Sequence, residues 1–324
     1  MPMKASPPQR LRRGCAVALT SGAVLISGTL ATSAQAAPAR ATPIRSVPAK
    51  AVVRKVAVAK PATAKAPSIV AKGGYVMNDA TGRALFAKAA DTRRSTGSTT
   101  KIMTARVVLA GKNLDLNAKV TIQKAYSDYI VAKNASSAHL IVGDKVTVRQ
   151  LLYGMLLPSG CDAAYALADT FGSGTTRAAR VASFIARMNA TAKSLGLRDT
   201  HFDSFDGIGN GANYSTPHDL SVLAASAMRY STFRAIVDTK ATRQTVTTKS
   251  GGYRYMDWSN TDNLLTAYPG TIGVKTGSGP EAGYCLVFAA VRDGRTLIGA
   301  VLDSTTEATR TTDAEKLLNY GFSR

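Results

Sequence analysis

A chain of 324 residues with a net charge of +21 has room for one large domain or two modest ones. The charge is uneven: residues 1–72 hold 12 Lys and Arg and no Asp or Glu, while the rest holds 29 basic and 20 acidic residues. Cys15, Cys161 and Cys285 are the only cysteines, which excludes a disulfide framework.

Lys4, Arg10, Arg12 and Arg13 precede a charge-free run from Gly14 to Ala39, apolar from about Cys15 to Leu30. Ala34-Gln35-Ala36 adds small residues of the cleavage-site type, so residues 1–36 are predicted to be a secretory signal peptide. An uncleaved anchor is the alternative, but the apolar part is short for a membrane span. Export places nucleic acid out of reach and makes the cell envelope the expected location, with a peripheral place at the outer face of the membrane left open. Residues 37–72 carry eight basic residues among Ala, Val and Pro, and prolines from Pro38 to Pro67 predict an extended linker without a fold. That linker is either a solvated tether or a contact for envelope polyanions such as teichoic acid or lipid phosphate.

The folded domain is expected over 73–324. Gly74–Asn78 and Ala84–Ala90 read as a hairpin around Ala80-Thr81-Gly82-Arg83. A helix beginning near Ser98 is apolar on nearly every side through Ile102, Met103, Val107, Val108 and Leu109, as a buried helix is. Ser95-Thr96-Gly97 offers residues to cap it. Val120–Ile122 and Lys145–Val148 are short strand candidates, and Arg149–Leu157 and Asp162–Phe171 are helices flanking a turn at Ser159. Arg177–Leu195 and Pro217–Tyr230 are further helices, separated by a loop rich in Asp, Gly and Asn. Gly270–Thr276, Tyr284–Val291 and Thr296–Leu302 read as consecutive antiparallel strands, and Thr311–Gly321 as a closing helix. Strands at both ends of the domain around a helical middle predict an α+β fold: an antiparallel sheet of N- and C-terminal strands covered by helices, with an all-helical insert.

Ser98-Thr99-Thr100-Lys101 is the stretch with chemical content. Residues at i and i+3 share a helix face, so the Ser98 hydroxyl and the Lys101 amine are expected side by side. A serine hydroxyl is a weak nucleophile until a neighbouring base takes its proton. Lys101 can be that base only where burial or a nearby cation favours its neutral amine. At a helix start the Ser98 backbone N–H can also point at a developing oxyanion. Two later stretches complete a pattern: Ser159-Gly160-Cys161 and Lys275-Thr276-Gly277. A Ser-x-x-Lys, a Ser-x-Asn-like element and a Lys-Thr-Gly in that order are the signature of penicillin-binding proteins and serine β-lactamases.

From about Gly73 to Arg324 the chain resembles the low-molecular-mass serine DD-peptidases of the penicillin-binding protein family. Ser95 to Thr104, Leu157 to Ala163 and Val274 to Gly279 carry the likeness. It resembles in particular a DD-transpeptidase that has the same Ser-Gly-Cys. The resemblance implies cleavage of peptidoglycan stem peptides ending in D-Ala-D-Ala and covalent inhibition by β-lactams. Ser98, Lys101, Ser159 and Lys275 become the expected catalytic residues, with Cys161, Thr276, Gly277 and Ser278 lining the substrate and oxyanion positions. Lys275 would supply a fixed charge, Ser159 a proton relay, Thr276 a contact to the substrate carboxylate and Ser278 the second oxyanion N–H. No cofactor or metal is expected, and a monomer is. The alternative is a catalytically impaired penicillin-binding sensor or wall-binding module.

Four further readings bound the site. Lys249-Ser250-Gly251 also fits Lys-[Ser/Thr]-Gly, but lies between alternating segments and reads as a hairpin tip. Asp203 and Asp206 read as turn chemistry. No Glu lies between Ser159 and Lys275, where class A β-lactamases place their deacylating Glu, so penicilloyl-enzyme hydrolysis should be slow. Cys161 stands where most DD-peptidases have Asn, and a thiol is a poorer donor and acceptor than an amide. It either weakens the hold on the donor peptide or merely fills space.

Overall fold

The computed structural model describes residues 65–324; the expected signal peptide, and the linker up to residue 64, lie outside them. The packed chain begins a few residues ahead of Gly73. Ile69 and Ala71 are buried, and the Ala71 N–H donates to the Asp313 carboxylate at 2.7 Å.

Among the described residues nine strands form two antiparallel sheets. β1 (Gly73–Asn78) and β2 (Ala84–Lys88) make the expected hairpin. β7 (Thr271–Gly279), β8 (Gly283–Arg292) and β9 (Arg295–Ser304) are the expected C-terminal run. The first sheet has the order β2-β1-β9-β8-β7, so the N-terminal hairpin joins the C-terminal strands along β9. β3 (Lys119–Thr121), β4 (Lys145–Thr147), β5 (Ala241–Thr247) and β6 (Tyr253–Ser259) form a second sheet in sequence order. The two short strand candidates pair with each other, and β4 then joins the hairpin whose tip is Lys249-Ser250-Gly251 through Lys145 opposite Thr247. That pairing adds a small sheet beside the helical insert.

The helices are α1 (Lys101–Leu109), α2 (Lys124–Lys133), α3 (Val148–Leu156), α4 (Cys161–Phe171), α5 (Arg177–Ser194), α6 (Pro217–Ala227), α7 (Ser231–Val237), α8 (Leu264–Ala267) and α9 (Glu307–Phe322). Among the described residues none is long and apolar enough to cross a membrane. α6 is shorter than its expected range, and α7 follows it as a separate helix.

Both faces of the first sheet are covered. On β8, Leu286, Phe288 and Ala290 join Ile69, Leu317 and Leu318 in a core beneath α9. Cys285, Val287 and Ala289 face the larger core with α1 and α6. Every residue of α1 except Arg106 is buried, which explains its nearly uniform apolarity. The buried lysine at its start is the exception that the core must accommodate.

Candidate active site

Chain geometry brings Ser98 against β7. Gly97 opens a single 3-10 turn (Gly97–Thr100) that runs into α1, with φ +49°. A Cβ at Gly97 would lie 3.0 Å from both the Ser278 nitrogen and its carbonyl oxygen. A Cβ at Gly277 would lie 2.7 Å from the Thr96 carbonyl. Glycine at both positions lets the Ser98 turn and the strand touch backbone to backbone. Thr96 does not cap the helix as the sequence suggested: its hydroxyl pairs with that of Thr100 at 2.8 Å.

Lys101 is fully buried in the first turn of α1, and its Nζ donates to Ser98 Oγ at 2.8 Å. Its other partners are Cys161 Sγ at 3.3 Å, the Asp206 carbonyl at 3.3 Å and Ser159 Oγ at 3.5 Å. None is a carboxylate.

Ser159 occupies the turn between α3 and α4 with φ +65°, a conformation a non-glycine residue holds only when its surroundings impose it. Those surroundings are visible. Ser136 Oγ donates to the Ser159 carbonyl at 2.6 Å. Asp162 accepts from the Ala138 N–H at 2.8 Å, Ser137 Oγ at 2.7 Å and the Leu140 N–H at 3.2 Å. The loop over residues 136–140 is thereby tied to the start of α4. Cys161 is buried there, 3.5 Å from Ser136 Oγ. Burial pushes its thiol up and outweighs the downward pull of Lys101, so it stays a neutral group.

Lys275 sits inside β7, fully buried, with its Nζ donating to Thr276 Oγ1 at 3.3 Å. Burial, aided by the charge of Lys101, brings its pKa down to about 7 against the opposing pull of Asp262. Asp262 is pushed up to about 6 by its own burial, and its Oδ2 has no hydrogen-bond partner. The Thr276 hydroxyl pairs with that of Thr261 at 2.6 Å. Ser278, which the sequence placed just past the strand, is still within β7, so its backbone is held by sheet geometry.

The cleft these walls enclose measures about 440 Å³ and is lined by Ser98, Ser159, Thr276, Gly277, Ser278 and also Arg310. All eight residues picked from the sequence therefore gather around one point: six at the cleft wall or within hydrogen-bond reach of Lys101, Lys101 itself, and Lys275 bonded to Thr276. Arg310 was missed. It is 3% exposed in the first turns of α9, its Nη2 meets Glu307 at 3.1 Å, and its Nε has no partner. The signal is the i,i+3 pair Glu307–Arg310 ahead of Thr311, where the sequence predicts the helix to begin. Ser136, Thr261 and Asp262 were missed as well, each lying in a loop with no motif of its own.

The decoys separate cleanly. Asp203 accepts from the backbone N–H groups of Asn210 at 2.8 Å and Ala212 at 3.1 Å, and Asp206 from that of Ile208 at 3.0 Å. Lys249 is exposed at the β5–β6 tip. His218 pairs with Asp91 at 2.9 Å, away from the cleft.

A serine and lysine on one helix turn, a second serine on an opposing helical turn and a Lys-Thr-Gly strand define a serine peptidase of the transpeptidase fold. The sequence profile of the D-alanyl-D-alanine carboxypeptidases matches residues 60–306, and the chain belongs to that family. A D-alanyl-D-alanine carboxypeptidase of Streptomyces sp. strain K15 is 61% identical over 314 residues, covering 97% of this chain and 99% of that one. The crystal structure of the Streptomyces K15 DD-transpeptidase superposes with a TM-score of 0.80 at 69% identity, over 81% of this chain and all of that one. The carboxypeptidase DacF of Bacillus subtilis is 29% identical over 255 residues, and this chain spans 62% of its length.

Proposed function

We propose that this protein is a secreted serine acyltransferase that cleaves the terminal D-Ala from peptidoglycan stem peptides ending in D-Ala-D-Ala. It passes the acyl group to water or to an amine of a neighbouring stem peptide. The single observation that carries this reading is the 2.8 Å contact from the buried Lys101 amine to Ser98 Oγ.

In the neutral state Lys101 takes the Ser98 proton as Oγ attacks the carbonyl between the two D-Ala residues. The backbone N–H groups of Ser98 and Ser278 receive the oxyanion. The C–N bond then breaks, and the proton passes from Lys101 through Ser159, 3.5 Å away, to the departing amine. Free D-Ala leaves and the ester on Ser98 remains until water or an amine attacks it. Thr276 and Arg310 meet the substrate's terminal carboxylate, and Lys275 adds its charge from behind them. A β-lactam presents a carbonyl and a carboxylate at matching places and acylates the same serine. No Glu stands between Ser159 and Lys275 to activate water, so that ester persists.

The contact geometry favours this reading over a penicillin-binding sensor without turnover. Residues 1–36 are proposed as the export signal and the segment from 37 to just before the packed Ile69 as the linker, with envelope polyanions as its contact and a monomeric domain beyond. Labelling the protein with a fluorescent penicillin and mapping the acylated peptide by mass tests the assignment. Stable stoichiometric label on Ser98, lost in Ser98→Ala, is expected; no label on folded protein would overturn it. Cys161 is proposed to loosen the donor peptide and so favour transfer over hydrolysis. Cys161→Asn should therefore raise D-Ala release to water, and an unchanged rate would show the thiol only fills space.

A further inference from the structure

The cleft opens into a second chamber that the chemistry above does not use. This cavity, about 370 Å³, shares Ile208, Ser278, Gly279 and Pro280 with the cleft but not Thr276 or Arg310. Its other wall is the loop from Gly207 to Gly211, in which Gly207, Gly209 and Gly211 all have positive φ. Glycines there present backbone to the cavity. The loop is fixed from behind by the Asp203 and Asp206 contacts, and Asp206 is itself held by the Tyr129 hydroxyl at 2.8 Å. The wall is preformed, as in most ligand sites.

One charged side chain lines this chamber, Glu281. It makes no hydrogen bond or ion pair with any described residue. A Cβ at Gly211 would lie 3.8 and 3.9 Å from its two oxygens, so the carboxylate stands against the glycine loop at Gly211. The two chambers thus differ in character: a buried guanidinium, two buried amines and Glu307, which is paired with that guanidinium, stand around one, and an unpaired carboxylate on the other.

The roles proposed for the cleft residues set how a D-Ala-D-Ala peptide lies across the two chambers. Its terminal carboxylate goes to Arg310 and Thr276, its reacting carbonyl to Ser98 and Ser278. The chain before that carbonyl must leave past Ser278, into the second chamber. We propose that Glu281 determines donor specificity there by pairing with a side-chain ammonium on the residue that precedes D-Ala-D-Ala, as a diamino acid provides. This inference rests on the reading of the cleft as a D-Ala-D-Ala site.

The test compares two donor peptides, Nα-acetyl-L-Lys-D-Ala-D-Ala and its Nα,Nε-diacetyl form, by D-Ala release with glycinamide present as acceptor. For the wild-type protein kcat/KM should favour the free ammonium by about three- to six-fold, the size of a partly exposed ion pair, and mostly through KM. The preference should shrink as salt rises. Glu281→Gln should bring the ratio close to one and Glu281→Lys below one, with penicillin labelling of each variant reporting a folded site. A ratio that stays the same in both variants would overturn the proposal while leaving the function intact. Failure of the wild-type protein to turn over either peptide would overturn the function and this inference with it.

Discussion

Two tripeptides in this chain fit the same pattern, Lys249-Ser250-Gly251 and Lys275-Thr276-Gly277, and the fold treats them oppositely. The first is the exposed tip of the β5–β6 hairpin, where Gly251 has φ +89° and a Cβ would touch nothing within 4 Å. The second lies inside β7, pressed against the Ser98 turn, where a Cβ on Gly277 would strike the Thr96 carbonyl. Lys249 points toward solvent and Gly143; Lys275 is buried within the fields of Lys101 and Asp262. A lysine becomes chemically useful through what surrounds it. The tripeptide is only the ticket of entry to that environment, and residues far away in sequence supply the rest.

Substituting the two lysines breaks the comparison most sharply. Lys275→Ala should slow acylation by penicillin by about 10²–10³-fold, the usual cost of removing one preorganised electrostatic group. Lys249→Ala should leave it unchanged, and stopped-flow labelling of both variants checks the pair. The glycines come next. Gly277→Ala should cost about 1–3 kcal/mol of stability through overpacking and depress acylation too. Gly251→Ala should cost about 1 kcal/mol from its left-handed backbone alone, with acylation intact; urea denaturation beside the labelling assay separates them.

A pH profile sharpens the contrast further. Lys275 titrates near 7, its positive charge present below that pH and lost above it. Affinity for a substrate carboxylate should therefore fall as pH rises through about 7. Lys275→Arg, charged throughout, should shift that fall upward. The same depressed pKa has a sign for stability. Its folded value lies below the unfolded one, so the site opposes folding at low pH and stability should rise above pH 7. Thermal melts of the wild type across pH 6–9 should climb more than those of Lys275→Met.

What the sequence disclosed followed from whether contacts are local. Ser98 and Lys101 share a turn, so their spacing sufficed. The sheet strands carry alternation or continuous burial and were readable within a few residues of their ends. α2, α7 and α8 were not, since the last two are only one or two turns long and α2 buries a single side chain, Tyr126. Asp162 reads as a helix-start acid, yet its work is to hold residues 137–140, which no local pattern reveals. Arg310 and Asp262 belong to the site because α9 and the loop after β6 fold back beside β7. Those contacts span tens to hundreds of positions, and only tertiary structure supplies them.

The buried cations around the cleft also make the ligand-free protein a gauge of its own occupancy. Lys101, Lys275 and Arg310 lie close together, and neither amine has a carboxylate among its hydrogen-bond partners. Any anion that settles among them relieves mutual repulsion as well as making contacts, and so raises the melting temperature through binding linkage. Small carboxylates and boronates that never react with Ser98 should register in a simple melting screen. Inhibitors without a β-lactam ring could then be found before a turnover assay exists.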